Sequence, residues 1–253
     1  MHMAAKDYMR VLDEIDKHGV EGLWLYHLGE SLLHPQFKEI LAHVNKKKNL
    51  GVIWLSTNGE FFTEDKIKMI MKSKIDYINF SAHAITEKTY KTIIKKPGAF
   101  ARVQDNLNKY YEIKGMENLP RKPFLHCQMI EQATTKNEVD AFLKKHYVKA
   151  EVVSVNMLEY AYMPNNKFGM KQRKRNELKT CLRVIRNDGF IFSNGDVTLC
   201  DAAFNGEIKL GNIHEKSLYD IWNGPERMRI LELNAAGKMS ANEFCRHCTD
   251  YDI

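Results

Sequence analysis

The chain has 253 residues, 44% of them hydrophobic and 28% charged, with a formal net charge of +6. This length suffices for one large core, or for one large and one small domain. No run approaches the roughly 18–20 apolar residues of a membrane span. The N-terminus also lacks the apolar segment of a signal peptide, so we expect a cytoplasmic protein. No aromatic residues interleave with the basic stretch 171–175, which favours a solvated face or linker over a nucleic-acid surface.

The first 160 residues alternate between strand-type and helix-type periodicity, which predicts βα units and a parallel sheet. The helical segments have plausible boundaries, with Gly19 after the first of them and Thr63 as an N-cap. Five strands are too few for a complete eight-stranded barrel. The predicted fold is therefore α/β, with either a partial (β/α) barrel or a doubly wound sheet. The predicted strands are 22–28, 51–56, 75–81, 123–131 and 151–159.

The composition changes after this region. Residues 163–180 are polar and basic, which is typical of a linker. Asn194-Gly195 lies between two β-rich runs and predicts a hairpin. Ser217 is a predicted helix cap, and Gly224-Pro225 a break between helices. We therefore expect a barrel-like domain over 1–162 and a small cysteine-bearing domain over 181–253.

Polar residues follow each predicted strand, at the edge where parallel α/β sheets bind ligands. Each of them alone could be an ordinary turn or cap residue. Together they predict a polar ligand at this edge, with His83 the one histidine expected at the rim. The residues are Gly29-Glu30-Ser31, Ser56-Thr57-Asn58-Gly59, Ser81-Ala82-His83, Gln128, Glu131, Asn156 and Glu159.

Four of the five cysteines follow residue 180, and a cytosolic chain would keep them reduced, so they predict a metal site. Four thiolates suit either tetrahedral Zn²⁺ or an iron–sulfur cluster, and spacing alone leaves both open. Cys127 lies inside a predicted strand and is expected to be a small buried hydrophobe. His247 is expected to be a loop residue. The four candidate ligands are Cys181, Cys200, Cys245 and Cys248.

The C-terminal pattern resembles the SPASM domain of radical SAM enzymes, which carries an auxiliary [4Fe-4S] cluster. The likeness rests on Cys181, on Gly195-x4-Cys200, on the sequence "LGNIHEKSLYDIWN" and on the final Cys245-x2-Cys248. Fuller SPASM domains continue with further cysteines, so the resemblance implies one auxiliary cluster here. That cluster would accept an electron or bind substrate.

The first 160 residues resemble the radical SAM partial barrel. "LGESLLHPQF" is similar to the family's Gly-Glu-Pro segment, with Ser31 in place of the proline. "LSTNG" and "FSAHAITEKTY" are similar to the segments at the ends of the second and third strands. Lys95 stands near the place of the family's arginine that pairs with the cofactor carboxylate. The resemblance thus implies an S-adenosylmethionine site formed by Gly29, Glu30, Ser56, Asn58, Ser81 and Lys95.

One departure from the family pattern affects the binding of the catalytic cluster. The family's C-x3-C-x2-C loop, which binds the catalytic [4Fe-4S] cluster, is absent, and no cysteine precedes Cys127. Either a segment carrying the first strand and loop is missing from this sequence, or the chain is a degenerate, non-catalytic iron–sulfur or zinc-binding relative. We favour the missing segment because the other cofactor positions persist, and we expect the chain alone to be inactive.

With that loop supplied, the resemblance implies a radical SAM oxidoreductase that forms a 5′-deoxyadenosyl radical and abstracts hydrogen from its substrate. A sugar-like alcohol and a peptide side chain are both candidate substrates. Such an enzyme would take electrons from a donor such as flavodoxin or ferredoxin.

Overall fold

The computed structural model of the protein describes residues 2–116, 123–157, 180–246 and 248. The chain divides into two compact units, one of them Ile15–Leu158 and the other Met1–Glu14 together with Glu159–Ile253. The domain limits expected from the sequence stay predictions, and residues 163–179 of the expected linker lie outside the described residues.

The unit Ile15–Leu158 is built on five parallel strands that pair in chain order, each with the next. This confirms the predicted α/β class. A doubly wound sheet reverses its strand order at a switch point, whereas this sheet runs from first strand to fifth without reversal, as a partial (β/α) barrel does. The strands are β1 (Gly22–Trp24), β2 (Val52–Thr57), β3 (Tyr77–Ser81), β4 (Phe124–Glu131) and β5 (Val152–Met157).

Helices connect the strands, and their boundaries follow local chemistry. The first helix ends before Gly19, which adopts the left-handed φ of 78° that glycine tolerates. Thr63 is the N-cap of the third helix, although its side chain makes no capping hydrogen bond. β1 ends at Trp24, short of the predicted 28. The helices are α1 (Ala5–His18), α2 (Phe37–Lys46), α3 (Glu64–Met71), α4 (Glu87–Ile94), α5 (Ala99–Met116) and α6 (Val139–His146).

The two faces of the sheet differ in burial. Because successive right-handed crossovers proceed in one direction, they place the helices on one face only. Every second residue of β2, β3 and β4 is accordingly buried, and Cys127 is among these, as predicted. The alternating residues remain partly exposed on the opposite face, which we call the open face. The buried set is Ile53, Leu55, Thr57, Ile78, Phe80, Leu125, Cys127 and Met129.

The second unit contains a small antiparallel sheet and short helices. The predicted hairpin is confirmed, because β6 and β7 pair around Gly195, whose φ is 87°. Ser217 caps the helix that follows it by accepting a hydrogen bond from the Asp220 N–H, and a helix break falls at Gly224. The elements are β6 (Phe190–Ile191), β7 (Asp196–Thr198), β8 (Gly211–Asn212), α7 (Leu182–Arg186), α8 (Leu218–Trp222), α9 (Pro225–Ala235) and α10 (Glu243–Arg246).

The first two-thirds of α1 belongs to this second unit. Arg10 donates a hydrogen bond of 2.7 Å from Nη2 to the Ile213 carbonyl. The Leu218 N–H, at the start of α8, donates to Glu14 Oε2 at 2.6 Å. Both contacts fix the segment 212–218 against α1. None of the helices among the described residues is long and apolar enough to cross a membrane.

Candidate functional site

The open face carries a layer of polar side chains near the carboxyl ends of β2 to β5. Ser56 donates a hydrogen bond of 3.3 Å to the backbone carbonyl of Asn79, its register partner. Gln128 donates from Nε2 to Ser81 Oγ at 3.3 Å, again between register partners. Asn156 on β5 donates to Gln128 Oε1 at 3.4 Å. Four of the predicted residues therefore lie on this polar surface, namely Ser56, Ser81, Gln128 and Asn156.

Two residues of this surface were missed by sequence reasoning. His126 Nε2 lies 2.7 Å from Ser154 Oγ, and partial burial lowers the pKa of His126, which favours the neutral imidazole. Asn79 hydrogen-bonds to Tyr26, yet its Oδ1 atom is buried and accepts no hydrogen bond within the described chain. Such orphaned acceptors are uncommon in proteins and suit a donor supplied by a ligand.

An aromatic layer lies one step closer to the amino ends of the same strands. Trp54 and Tyr77 stack with ring centroids 4.0 Å apart, and Trp54 also stacks with Trp24 at 6.3 Å. Tyr77 packs against Phe124 at 5.3 Å. These residues precede the polar ones by two positions, so they share the open face with them. The face is thus apolar at one end and hydrogen-bonding at the other.

Glu30 links the loops that follow β1 and β2. Its Oε2 accepts the Asn58 N–H at 2.7 Å, and its Oε1 accepts the Leu32 N–H at 3.2 Å. Burial raises the pKa of Glu30, while these hydrogen bonds and the positive charge of Lys66 oppose that rise. Gly29 before it has a φ of 91°. The carboxylate therefore holds the shape of this edge, whichever ligand the edge binds.

We expect Glu30→Gln to lower the free energy of unfolding by about 1–3 kcal/mol, because the amide nitrogen cannot accept the second backbone N–H. Glu64→Gln is the matched control, since Glu64 pairs with Lys68 on the surface and its side chain is 49% exposed. Exposed pairs of this kind contribute little to stability, so the control should shift the midpoint only slightly. Urea unfolding measures the stability of both variants. Equal midpoint shifts would rule out that the Glu30 carboxylate stabilises the loops after β1 and β2.

Asn58 shapes the turn after β2. Its Oδ1 accepts the Glu60 N–H at 3.0 Å, and Gly59 follows with a φ of 82°. The Glu60 side chain, 7% exposed, pairs with Lys96 at 2.5 Å and with Arg102 at 3.5 Å. This buried carboxylate with two cations is a further feature that the sequence motifs did not reveal.

Two other residues selected from the sequence, His83 at the rim and Lys95 in the cofactor site, have left-handed backbone conformations. His83 has a φ of 59°, and the Ala84 N–H donates to the Ala82 carbonyl at 2.7 Å across it. Burial lowers the pKa of His83. Lys95 is the exposed C-cap of α4 with a φ of 56°. The ion pair in this region is made by its neighbour Lys96, so a cofactor-binding role for Lys95 stays a prediction.

The first two candidate cysteine ligands have backbones fixed by polar side chains. Cys181 is the N-cap of α7, and its N–H donates to Asn234 Oδ1 at 2.5 Å. Cys200 follows β7, and its N–H donates to Thr198 Oγ1 at 3.3 Å. Asn234 and Thr198 are both buried. The two cysteines are therefore held by contacts that do not involve their sulfur atoms.

The other two cysteines lie on and after α10. The Cys245 N–H donates to Asn242 Oδ1 at 3.2 Å, and the Cys248 N–H donates to the Cys245 carbonyl at 3.1 Å. His247 lies outside the described residues. Burial raises the pKa of Cys245 to about 12, and the neighbouring thiols of Cys200, Cys181 and Cys248 contribute to the rise. Cys181, Cys200 and Cys248 therefore lie near enough to Cys245 for their charges to act on its thiol.

An all-sulfur donor set fits a soft metal centre such as an iron–sulfur cluster or zinc. Within the described ranges, no three histidine, cysteine, aspartate or glutamate side chains are arranged to hold a metal ion. The four thiols therefore form no ready-made single-ion site in the described part of the chain, and the choice between zinc and an iron–sulfur cluster stays open.

Comparison with known families identifies the chain. The radical SAM superfamily matches residues 1–117, and the SPASM domain, an iron–sulfur cluster-binding domain, matches residues 181–249. The chain therefore belongs to the radical SAM superfamily and carries a C-terminal SPASM domain. No curated protein sequence shows a significant match to it.

Solved structures share this fold at low sequence identity. BtrN in complex with AdoMet and 2-DOIA has a TM-score of 0.59 at 14% identity, covering 99% of this chain and 82% of that chain. The enzyme anSMEcpe with bound AdoMet and a peptide has a TM-score of 0.65 at 14% identity, covering 90% and 74%. SuiB of Streptococcus suis bound to S-adenosylmethionine has a TM-score of 0.51 at 15% identity, covering 92% and 60%.

The residues present do not fit the family's catalytic cluster. Nothing before Cys127 supplies a thiolate, although the superfamily match spans residues 1–117. The auxiliary cluster has four thiols that fit it, and the polar surface with its orphaned Asn79 acceptor fits a polar organic cofactor.

Proposed function

We propose that the chain is the S-adenosylmethionine-binding and auxiliary-cluster part of a radical SAM oxidoreductase. The observation that carries this is the match of residues 181–249, which contain Cys181, Cys200, Cys245 and Cys248, to an iron–sulfur cluster-binding domain. The four thiolates would hold one auxiliary cluster, which supplies one-electron redox chemistry when bound. Their backbone hydrogen bonds pre-position them for it.

The proposed S-adenosylmethionine site lies at the carboxyl edge of the sheet. Glu30 and Asn58 would act mainly by fixing the loops, because their side-chain oxygens already accept backbone N–H groups. Ser56 and Ser81 would meet the cofactor directly, together with Asn79 Oδ1. Gly29 would allow close approach of the backbone, and Lys95 would offer a cation to the cofactor carboxylate.

The family's hydrogen-abstracting radical requires a catalytic cluster, whose ligands must come from outside these 253 residues. We therefore propose that this chain alone does not cleave S-adenosylmethionine. The absence of those thiolates also fits the second candidate, a non-catalytic iron–sulfur or zinc-binding relative, and the experiment below separates the two metals.

The substrate is proposed to be a sugar-like alcohol or a peptide side chain, bound on the β4–β5 half of the open face. His126, Gln128, Ser154 and Asn156 there offer neutral hydrogen-bonding groups, which suit hydroxyls and amides. The structures of BtrN with 2-DOIA and of anSMEcpe with a peptide support a small-molecule or peptide substrate. A flavodoxin- or ferredoxin-type electron donor and a cytoplasmic location complete the proposal.

Anaerobic reconstitution with iron and sulfide tests the cluster. We expect about four iron and four labile sulfide ions per chain. Cys181→Ser should lose most of them, because the cluster would lack one ligand, whereas the control Cys127→Ala should retain them, because Cys127 lies buried in β4. Zinc without sulfide would contradict the auxiliary cluster and support the zinc-binding alternative. The reconstituted chain should form no 5′-deoxyadenosine with dithionite and S-adenosylmethionine, and its formation would refute the proposed inactivity.

A further inference from the structure

An ion pair joins the segments that carry the first two cysteine ligands. Arg183 is two residues after Cys181 on α7, and Asp201 directly follows Cys200. The Arg183 guanidinium pairs with the Asp201 carboxylate through Nη1 and Oδ1. Their side chains are 20% and 41% exposed, so the pair is partly shielded from water.

Both charges lie beside ligand positions. Arg183 is in the first turn of α7, whose N-cap is Cys181, and Asp201 is covalently linked to Cys200. Because one side chain is a cation and the other an anion, Arg183 and Asp201 have opposite electrostatic effects on negative charge held at these ligands.

We propose that the Arg183–Asp201 ion pair sets the reduction potential of the auxiliary cluster, an inference that rests on the proposed cluster being present. Reduction adds one electron and therefore one negative charge to the cluster. The Arg183 cation stabilises that charge and raises the potential, whereas the Asp201 anion lowers it. Net charge, hydrogen bonds to the sulfurs and solvent exposure are the factors by which proteins set such potentials. Both residues are positioning residues, since they act through the cluster and its ligands.

Removing one partner should change the potential in a direction that depends on which charge is lost. At a fixed applied potential, we expect Arg183→Gln to lower the ratio of reduced to oxidised cluster about tenfold, equivalent to about 59 mV. Asp201→Asn should raise the ratio, and the double variant should return close to the wild-type value. Arg183→Lys should also stay close to wild type, because it keeps the charge and loses only the fork-shaped geometry.

The measurement is a titration of the reconstituted chain with dithionite and redox mediators, followed by electron paramagnetic resonance. Arg186→Gln is the matched control, because Arg186 lies on the same helix, pairs with Asp188 at 3.2 Å and is 53% exposed. Its potential should match wild type. Should Arg183→Gln fail to fold, Asp201→Asn compared with Asp188→Asn gives the same test.

The outcomes separate this inference from the cluster itself. A wild-type chain that binds no iron–sulfur cluster overturns the cluster proposal before any variant is made. A loaded cluster whose potential is the same in Arg183→Gln, Asp201→Asn and the controls overturns the inference alone. Shifts of the same sign in Arg183→Gln and Asp201→Asn, or a shift in Arg183→Lys as large as in Arg183→Gln, would indicate a purely structural role and also overturn it.

Discussion

Gly59→Ala is expected to lower the free energy of unfolding by about 2–5 kcal/mol. Gly59 has a φ of 82°, and the left-handed region costs a residue with a Cβ atom about 1–2 kcal/mol. The added Cβ would also lie 2.4 Å from Phe80 Cζ and 3.0 Å from Val103 Cγ1. Phe80 is fully buried, so it cannot move without disturbing the core, and overpacking of this kind costs about 1–3 kcal/mol.

Gly98→Ala isolates the backbone part of this effect, and the difference between the two variants gives the steric part. Gly98 has a similar φ of 69°, but no atom lies within 4 Å of the position its Cβ would take. We expect it to lose only the backbone contribution of about 1–2 kcal/mol. Urea unfolding followed by fluorescence of Trp24 and Trp54 reports on the unit that contains both glycines. Equal losses in the two variants would mean that the contact with Phe80 carries no energy.

The sequence patterns predicted the strands of the sheet but not the order in which the strands pair. Local periodicity predicted all five strands, because alternation and apolar runs depend on neighbouring residues. It left two architectures open, since strand order depends on pairing between distant segments. Only the observed β1-β2-β3-β4-β5 order distinguishes the partial barrel from the doubly wound sheet. β1 was predicted too long because the apolar run continues to Leu28, which is 61% exposed.

The candidate site was predicted in outline, and its supporting contacts were not. The motif positions predicted Glu30 and Asn58, yet their hydrogen bond to each other comes from the meeting of two loops 28 residues apart. Asn79 and His126 could have been found, because each lies two residues before a selected residue, Ser81 or Gln128, and so shares its face of the strand. Selecting every residue on that face of each strand would have included both.

The same limit applies to the cysteines. Their clustering in the sequence predicted four ligands, but it held no information on the side chains that fix their backbones. Asn234 is 53 residues from Cys181, to which it hydrogen-bonds, and no local pattern connects the two. Asp201 and Arg183 are adjacent or nearly adjacent to ligands in sequence, yet their pairing depends on how α7 meets the loop after β7.

Acid is expected to destabilise the unit Ile15–Leu158 through His146. This histidine is 2% exposed, and its Nε2 atom has no hydrogen-bond partner within the described chain. Burial lowers its pKa to about 4, and the positive charges of Lys145 and Lys149 contribute. The unfolded chain, with a histidine pKa of about 6.5, binds a proton that the native state excludes. The free energy of unfolding should therefore fall by about 3 kcal/mol between pH 6.5 and 4, with no such loss above pH 6.5.

His146→Leu should remove this part of the pH dependence, because leucine fills the site beside Phe142 without a titrating group. Its stability relative to wild type should therefore rise as the pH falls from 6.5 towards 4. His18→Asn is the control, since His18 is exposed at the end of α1. Urea midpoints of the three proteins at pH 7, 6, 5 and 4.5 give the comparison. Parallel profiles for wild type and His146→Leu would show that His146 is not the cause of the loss of stability in acid.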